Sequence, residues 1–239
     1  RRRDQYRHIR SFAQSYVDRF LAWMDAADVE VVFPEEAAFR AQLASSQGAL
    51  FLSAHLGNLD MLRGLAATKG VSGLNAVIYS EHVVRFQSLL KELNPRYEAN
   101  LIHIADVGPG TAMALEEKVS KGESLFIVGD RPPVAENGRT LRVPFLGQEA
   151  PFPIGPLFLA HLLQCPVYLF FFVKEGPRYV IHMERFADRI ALPRKAREAT
   201  LQTWLERYAR AVEAQCLRTP LQWFNFYDFW GESGTGGLH

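Results

Sequence analysis

Cysteine is scarce in this chain: there are two, Cys165 and Cys216, with no Cys-x-x-Cys pair and no Cys/His ligand spacing. That excludes a zinc ribbon or a densely cross-linked scaffold as the organising principle. Both cysteines fall at helical or helix-end positions and are expected to be reduced packing residues of a cytosolic compartment, with a disulfide between them as the alternative. Long apolar runs are missing as well. The longest, Pro166 to Val173, is strand length, far short of the roughly 18–20 residues a bilayer-spanning helix requires. No sign of charge dominates: 27 basic against 26 acidic residues leave a net charge of +1, which supplies no overall field to recruit nucleic acid. Any anion binding must be local. There is no GxSxG elbow, no GxxxxGK[ST] phosphate loop, no HExxH and no GxGxxG, so no metal and no cofactor are expected. Arg1, Arg2 and Arg3 open the chain without an apolar segment behind them, which does not fit a secretory signal. Two readings of that basic start stay open: the solvated beginning of a surface helix, or the flank of a membrane anchor that precedes it.

What is present reads as one α/β domain, since 239 residues suffice for a single large core. Tyr6, Ile9, Phe12, Tyr16, Phe20 and Trp23 recur at three and four, which predicts an amphipathic helix that packs on the domain or lies on lipid. An apolar strand, ALFLSA over 49–54, ends at His55-Leu56-Gly57-Asn58, and a helical pattern follows Asp60. Strands are then expected at Leu74 to Tyr79, Leu101 to Ala105 and Ser124 to Val128, with helices at Val83 to Leu93 and Thr111 to Lys121 between them. Gly108-Pro109-Gly110 reads as a turn. This repeated strand-then-helix order predicts a mostly parallel central sheet with flanking helices. Beyond Gly129-Asp130-Arg131-Pro132-Pro133 the segment from Pro144 to Pro156 is crowded with Pro, Gly and aromatics and runs into a helix, LFLAHLL. Val167 to Val173 and Tyr179 to Met183 are expected to form a β-hairpin in the C-terminal half, followed by a long helix from Arg194 to Cys216. The domain is expected over 1–230, with 231–239 a disordered Gly-rich tail.

Chemistry concentrates at His55-Leu-Gly-Asn-Leu-Asp60. On a regular helix five positions place two side chains about 140° apart, so His55 and Asp60 would not meet there. A strand end joined to a helix start through Gly57-Asn58 folds them together. A carboxylate on one imidazole nitrogen sets the tautomer and leaves the other nitrogen to take a proton from an alcohol. The helix N-terminus beside it suits a developing oxyanion. The plain alternative is a histidine that merely ends a buried strand and an aspartate that serves the helix N-terminus. Arg131, in a Pro-rich loop after a strand, suits a phosphate or carboxylate clamp as well as it suits a surface ion pair. Arg85, Arg139 and Arg142 are weaker candidates for the same duty. The run Trp223 to Trp230 and Phe145, Phe152 and Phe158 either pack the core or wall a groove for an acyl chain. Pro and Gly beside the last three favour an irregular, exposed wall.

HLGNLD after an apolar strand, GDRPPV after a later strand, FLGQEAPFPIGP and PLQWFNFYDFW occur in that order. Together they resemble the lysophospholipid acyltransferase superfamily, in its late lipid A (lauroyl/myristoyl) acyltransferase branch, and look most like acyltransferases of aryl-polyene pigment pathways of Gram-negative bacteria. The resemblance spans about Tyr6 to Trp230. It implies a glycerol-3-phosphate/lysophospholipid acyltransferase-like fold, with His55 and Asp60 as the catalytic pair; Gly57, Asn58, Arg85, Asp130, Arg131, Phe145 and Phe152 are the candidate substrate-binding residues. It further implies an acyl thioester donor, usually acyl carrier protein, a lipid acceptor, and the cytoplasmic face of the inner membrane, with an N-terminal anchor preceding Arg1. Two positions depart from the family pattern. Leu59 stands where an aromatic residue usually precedes the acid, and Arg131 stands where the branch often has Gln, so acceptor choice is not transferable. The expected reaction is direct O-acyl transfer without an acyl-enzyme. A thioesterase and a non-catalytic lipid-binding protein are the alternatives.

Overall fold

A computed structural model of the chain describes residues 2–68, 73–78, 92, 100–103, 109–131 and 139–231. Apart from Glu92, the expected helix over 83–93, Arg85 within it, and residues 232–239 of the tail lie outside the described residues.

The strand-then-helix order of the sequence becomes an α/β sandwich. In chain order the elements are α1 (Arg2–Trp23), β1 (Val31–Val32), α2 (Glu36–Leu43), β2 (Leu50–Ser53), α3 (Leu59–Thr68), β3 (Leu74–Ile78), β4 (Leu101–His103), α4 (Pro109–Ser120), β5 (Ser124–Val128), β6 (Thr140–Phe145), β7 (Gln148–Pro153), α5 (Gly155–Leu163), β8 (Val167–Glu175), β9 (Arg178–Ala187) and α6 (Arg197–Arg218). The main sheet among the described residues runs β1-β9-β8-β2-β5-β3-β4. Every pairing in it is parallel except the β8–β9 hairpin, so the mostly parallel sheet and the hairpin are as expected. Pro109 and Gly110 are not turn residues but open α4, where a proline's missing N–H costs nothing.

Side-chain alternation in the central strands produces two cores. Leu50 and Leu52 of β2, with Val167, Leu169, Phe171 and Val173 of β8, face one side. Phe51, Tyr168, Phe170 and Phe172 face the other. Helices α5 and α6 cover the first face with Leu157, Leu159, Leu201, Leu205 and Val212. Ala22 of α1, Met61 of α3, and Phe39 and Leu43 of α2 cover the second. A strand buried on both faces reads as an unbroken apolar run, which explains the continuous VYLFFFV of β8.

The Pro-rich stretch is regular where the sequence suggested an irregular wall. Residues 140–153 form an antiparallel ribbon, β6–β7, with Arg142 opposite Pro151 and Pro144 opposite Glu149. A two-stranded ribbon has only edges, so prolines that cannot donate to a ladder are tolerated in it. Alternation within this ribbon turns Phe145 and Phe152 inward, and both are fully buried. Their rings lie 5.2 Å apart, Phe145 meeting Trp223 at 5.3 Å and Phe152 meeting Tyr208 at 5.9 Å. The expectation that these two phenylalanines line an exposed acyl groove is therefore corrected: Pro and Gly nearby marked a tight ribbon, not an open surface. Phe152→Ala is expected to destabilise the fold by about 3–5 kcal/mol, measured as a lower denaturant midpoint at unchanged slope. A loss below about 1 kcal/mol would return Phe152 to a groove.

Candidate active site

Strands β2 and β5 are adjacent and parallel, with Ser53 opposite Val128. Two residues past that pair, at the carboxyl ends of both strands, come His55 and Asp130. Parallel register carries them to the same level, and the two-residue period of a strand turns them the same way. The ladder is extended by Gly129 N–H donating to Ser53 O at 2.9 Å. Crevices outside the carboxyl ends of parallel strands are where open α/β sheets bind ligands.

His55 Nδ1 donates to Asp130 Oδ1 at 2.6 Å, and the His55 backbone N–H donates to the same oxygen at 3.0 Å. Asn225 Nδ2 donates to Asp130 Oδ2 at 3.3 Å. Asp130 has no exposure to solvent, whereas the His55 side chain is 36 % exposed. Burial pushes the Asp130 carboxyl up, but the His55 ring and its hydrogen bond, the Arg131 guanidinium and the His55 backbone N–H outweigh it and hold the group below its ordinary value. An ionised carboxylate only accepts, so Nδ1 must carry the proton and Nε2 is the nitrogen with a free lone pair.

Arg131 braces this arrangement. Its Nε donates to Asn225 Oδ1 at 2.6 Å and an Nη to Phe224 O at 2.9 Å. With its oxygen held by Arg131, Asn225 presents its amide nitrogen to Asp130. The Tyr227 hydroxyl, pushed up to about 12 by burial and by the Asp130 charge, stays protonated beside the group.

The loop carrying His55 is gripped on two sides. Phe224 N–H donates to His55 O at 3.2 Å and Gly57 N–H to Gln222 O at 2.8 Å, while Asn58 N–H donates to Phe172 O at 2.8 Å. The Gln222 side chain completes the clamp by pairing with both the N–H and the C=O of Lys174. Gly57 has φ +79°, and a Cβ there would come within 2.0 Å of Phe172 O, so only glycine fits. Asn58 is buried; its Oδ1 accepts the Met61 N–H and its Nδ2 donates to Ser15 O at 2.8 Å. Gly57 and Asn58 thus hold the loop with the groups the sequence assigned to substrate. The first-turn N–H groups of Leu59 and Asp60 are those α3 leaves without an intrahelical acceptor.

Asp60 does not meet His55. Its carboxylate pairs with Arg19 of α1, and Arg63 approaches it at 2.8 Å. Its backbone oxygen accepts from Trp23 Nε1 at 3.2 Å. The expected His55–Asp60 contact is therefore corrected to His55–Asp130. At the second position of α3, Asp60 faces the helix packed beside it, while His55 faces the neighbouring strand. Arg142 ties the β6–β7 ribbon down through Glu149 O and Trp230 O, and Arg139 is exposed.

Sequence reading missed Asn225, which lay unnoticed in an aromatic run; a lone amide among seven aromatic or acidic neighbours was the available signal. The run itself divides: Phe229 is buried, Trp223, Tyr227 and Trp230 pack on the same core, and Phe224 and Phe226 make ring contacts with His8 and, edge-on, with Phe12 of α1. Cys165 and Cys216 are free and buried, and burial pushes their thiols up to about 11 and about 12, so neither is a ready nucleophile. Among the described residues no His, Cys, Asp and Glu cluster could hold a metal ion. The chain matches no protein-family model and no curated protein.

Two measurements check this geometry. Nitrogen NMR of the neutral His55 ring should show Nδ1 as the protonated nitrogen, and Asp130→Asn should scramble that preference; a wild-type ring with the opposite tautomer would remove Asp130 as its partner. The second is acid stability. Asp130 is depressed from 3.8, so its contribution is complete above that value and is lost as pH falls through the lower folded-state value. Below about pH 4, wild type should lose stability more steeply than Asp130→Asn, by at most about 1.4 kcal/mol per pH unit, read from unfolding midpoints.

Proposed function

We propose that the chain is an O-acyltransferase in which His55 is the general base and Asp130 its orienting partner. The observation that carries this reading is the 2.6 Å contact between His55 Nδ1 and a fully buried Asp130, which leaves Nε2 of a partly exposed ring as the proton acceptor. The resemblance of HLGNLD and GDRPPV to acyltransferase motifs supports the reaction class.

In this reading the acceptor hydroxyl gives its proton to His55 Nε2 as its oxygen attacks the carbonyl carbon of an acyl thioester. The tetrahedral oxyanion collapses, the C–S bond breaks, and the imidazolium returns the proton to the departing thiolate. Asp130 stabilises the imidazolium through Nδ1 without taking the proton itself. No side chain is acylated. The donor is an acyl thioester, carried by acyl carrier protein in the family resembled, with a fatty-acyl or aryl-polyenoyl chain; the acceptor is a hydroxyl-bearing lipid.

Mass spectrometry of lipids from cells with and without the intact protein identifies donor chain and acceptor together. With that pair in vitro, His55→Ala should lower the rate at least about a hundredfold while the fold survives. Asp130→Asn should cost more than Asp60→Asn; the reverse order would reassign the partner of His55. Free acid released equally fast without a lipid acceptor would make the chain a thioesterase, and an inert wild type or an active His55→Ala would end the catalytic reading.

A further inference from the structure

A helix on the surface of a globular domain normally turns its apolar stripe to the core and its polar face to water. Helix α1 does so only in its last turn, where Ala22 and Trp23 are buried. Its inward face is held by polar contacts: His8 Nε2 to Trp223 O at 3.1 Å, Asp18 to Lys174 Nζ at 2.7 Å and to the Tyr179 hydroxyl at 2.6 Å, and Arg19 to Asp60. The opposite face carries Tyr6, Ile9, Tyr16, Val17 and Phe20, with Met24 just past the last turn, each 36–68 % exposed. Phe226, itself 42 % exposed, lies beside Phe12. Contiguous apolar surface on this scale marks a contact face.

The charges beside the stripe indicate what covers it. Arg2, Arg3, Arg7 and Arg10 are all exposed, and the one acid in that segment is Asp4. At 22 residues the helix is about 33 Å long, and no helix among the described residues is long and apolar enough to cross a membrane. An apolar stripe with aromatic residues, edged by arginines and held flat against a domain by its polar side, matches a helix lying in the interfacial plane of a bilayer.

We infer that the outer face of α1 docks on an anionic lipid surface, with Ile9, Val17 and Phe20 entering the headgroup–acyl boundary and Arg2, Arg3 and Arg10 meeting lipid phosphates. The docking supplies the proposed acyltransferase with its partner surface, yet it does not require any chemistry at His55. It also has a structural consequence. His8 and Phe12 touch the 223–226 segment, whose Asn225 donates to Asp130, so the docking helix and the His55 centre share one loop.

The test is co-sedimentation of the whole chain with phosphatidylcholine vesicles, with and without added phosphatidylglycerol. Wild type should partition onto the anionic vesicles and be released by salt. Val17→Glu with Phe20→Glu should weaken partitioning at least about tenfold, and each of Arg2→Gln, Arg3→Gln and Arg10→Gln by about fivefold. These residues are exposed, so thermal unfolding should match wild type; if the double glutamate variant is unstable, the arginine variants alone decide. His55→Ala should bind vesicles like wild type, which keeps this result separate from the fate of the catalytic reading. Wild type left in the supernatant, glutamate variants that bind undiminished, or a concentration-dependent dimer abolished by the same variants would each overturn the inference, the last assigning the face to a second copy of the chain.

Discussion

A carboxylate removed from water must find donors for its lone pairs, and Asp130 is sealed completely. Most of the arrangement at the end of β2 and β5 follows from that constraint. Two N–H groups of one residue, His55, meet Oδ1, and the amide of Asn225 meets Oδ2. Arg131 holds Asn225 in turn, and the Asn225 segment is held to the His55 loop by Phe224 N–H donating to His55 O and Gly57 N–H donating to Gln222 O. The network runs outward from the sealed carboxylate through the half-buried Asn225 to the exposed Arg131, and satisfying the buried member is the condition for its being tolerated in a core.

This network also explains the contrast between two aspartates that look alike in the sequence. Asp130 has a depressed value because its donors outweigh its burial. Asp60 keeps partial exposure and two arginine partners, the signature of an ion-paired joint between helices. The first sets the direction of an imidazole; the second sets the seat of α1 on α3. Arg19, stacked over Tyr16 at 3.7 Å, ties that joint to the edge of the outward apolar stripe. The imidazole centre and the amphipathic helix are thus connected by two routes, one through Asp60 and α3, the other through the 223–226 segment.

Much of the architecture was legible beforehand for local reasons. The strand over Ser124–Val128 and the β8–β9 hairpin follow from apolar runs bounded by Gly and Pro, which act over a few residues. His55 was legible as a strand-end imidazole next to glycine. Phe145 and Phe152 were misplaced because Pro144, Pro151 and Pro153 imitate an irregular loop, and only pairing of β6 with β7 reveals that alternation buries both rings. The amphipathic period of α1 was legible, but not its polarity: the same stripe fits a core or a bilayer, and the choice rests on whether Asp18 and Arg19 find partners on Tyr179, Lys174 and Asp60.

From sequence alone came the element types, their order, the parallel character of the sheet and the strand-end imidazole, with Asp60 as its expected partner, since periodicity, turn chemistry and strand ends are properties of short segments. Which acid the imidazole meets was decided by tertiary structure. His55 and Asp130 are 75 residues apart, and they meet because β5, rather than β3, inserts beside β2. Strand order is set by burying both faces of the sheet at once, a condition summed over the whole chain that no local pattern contains.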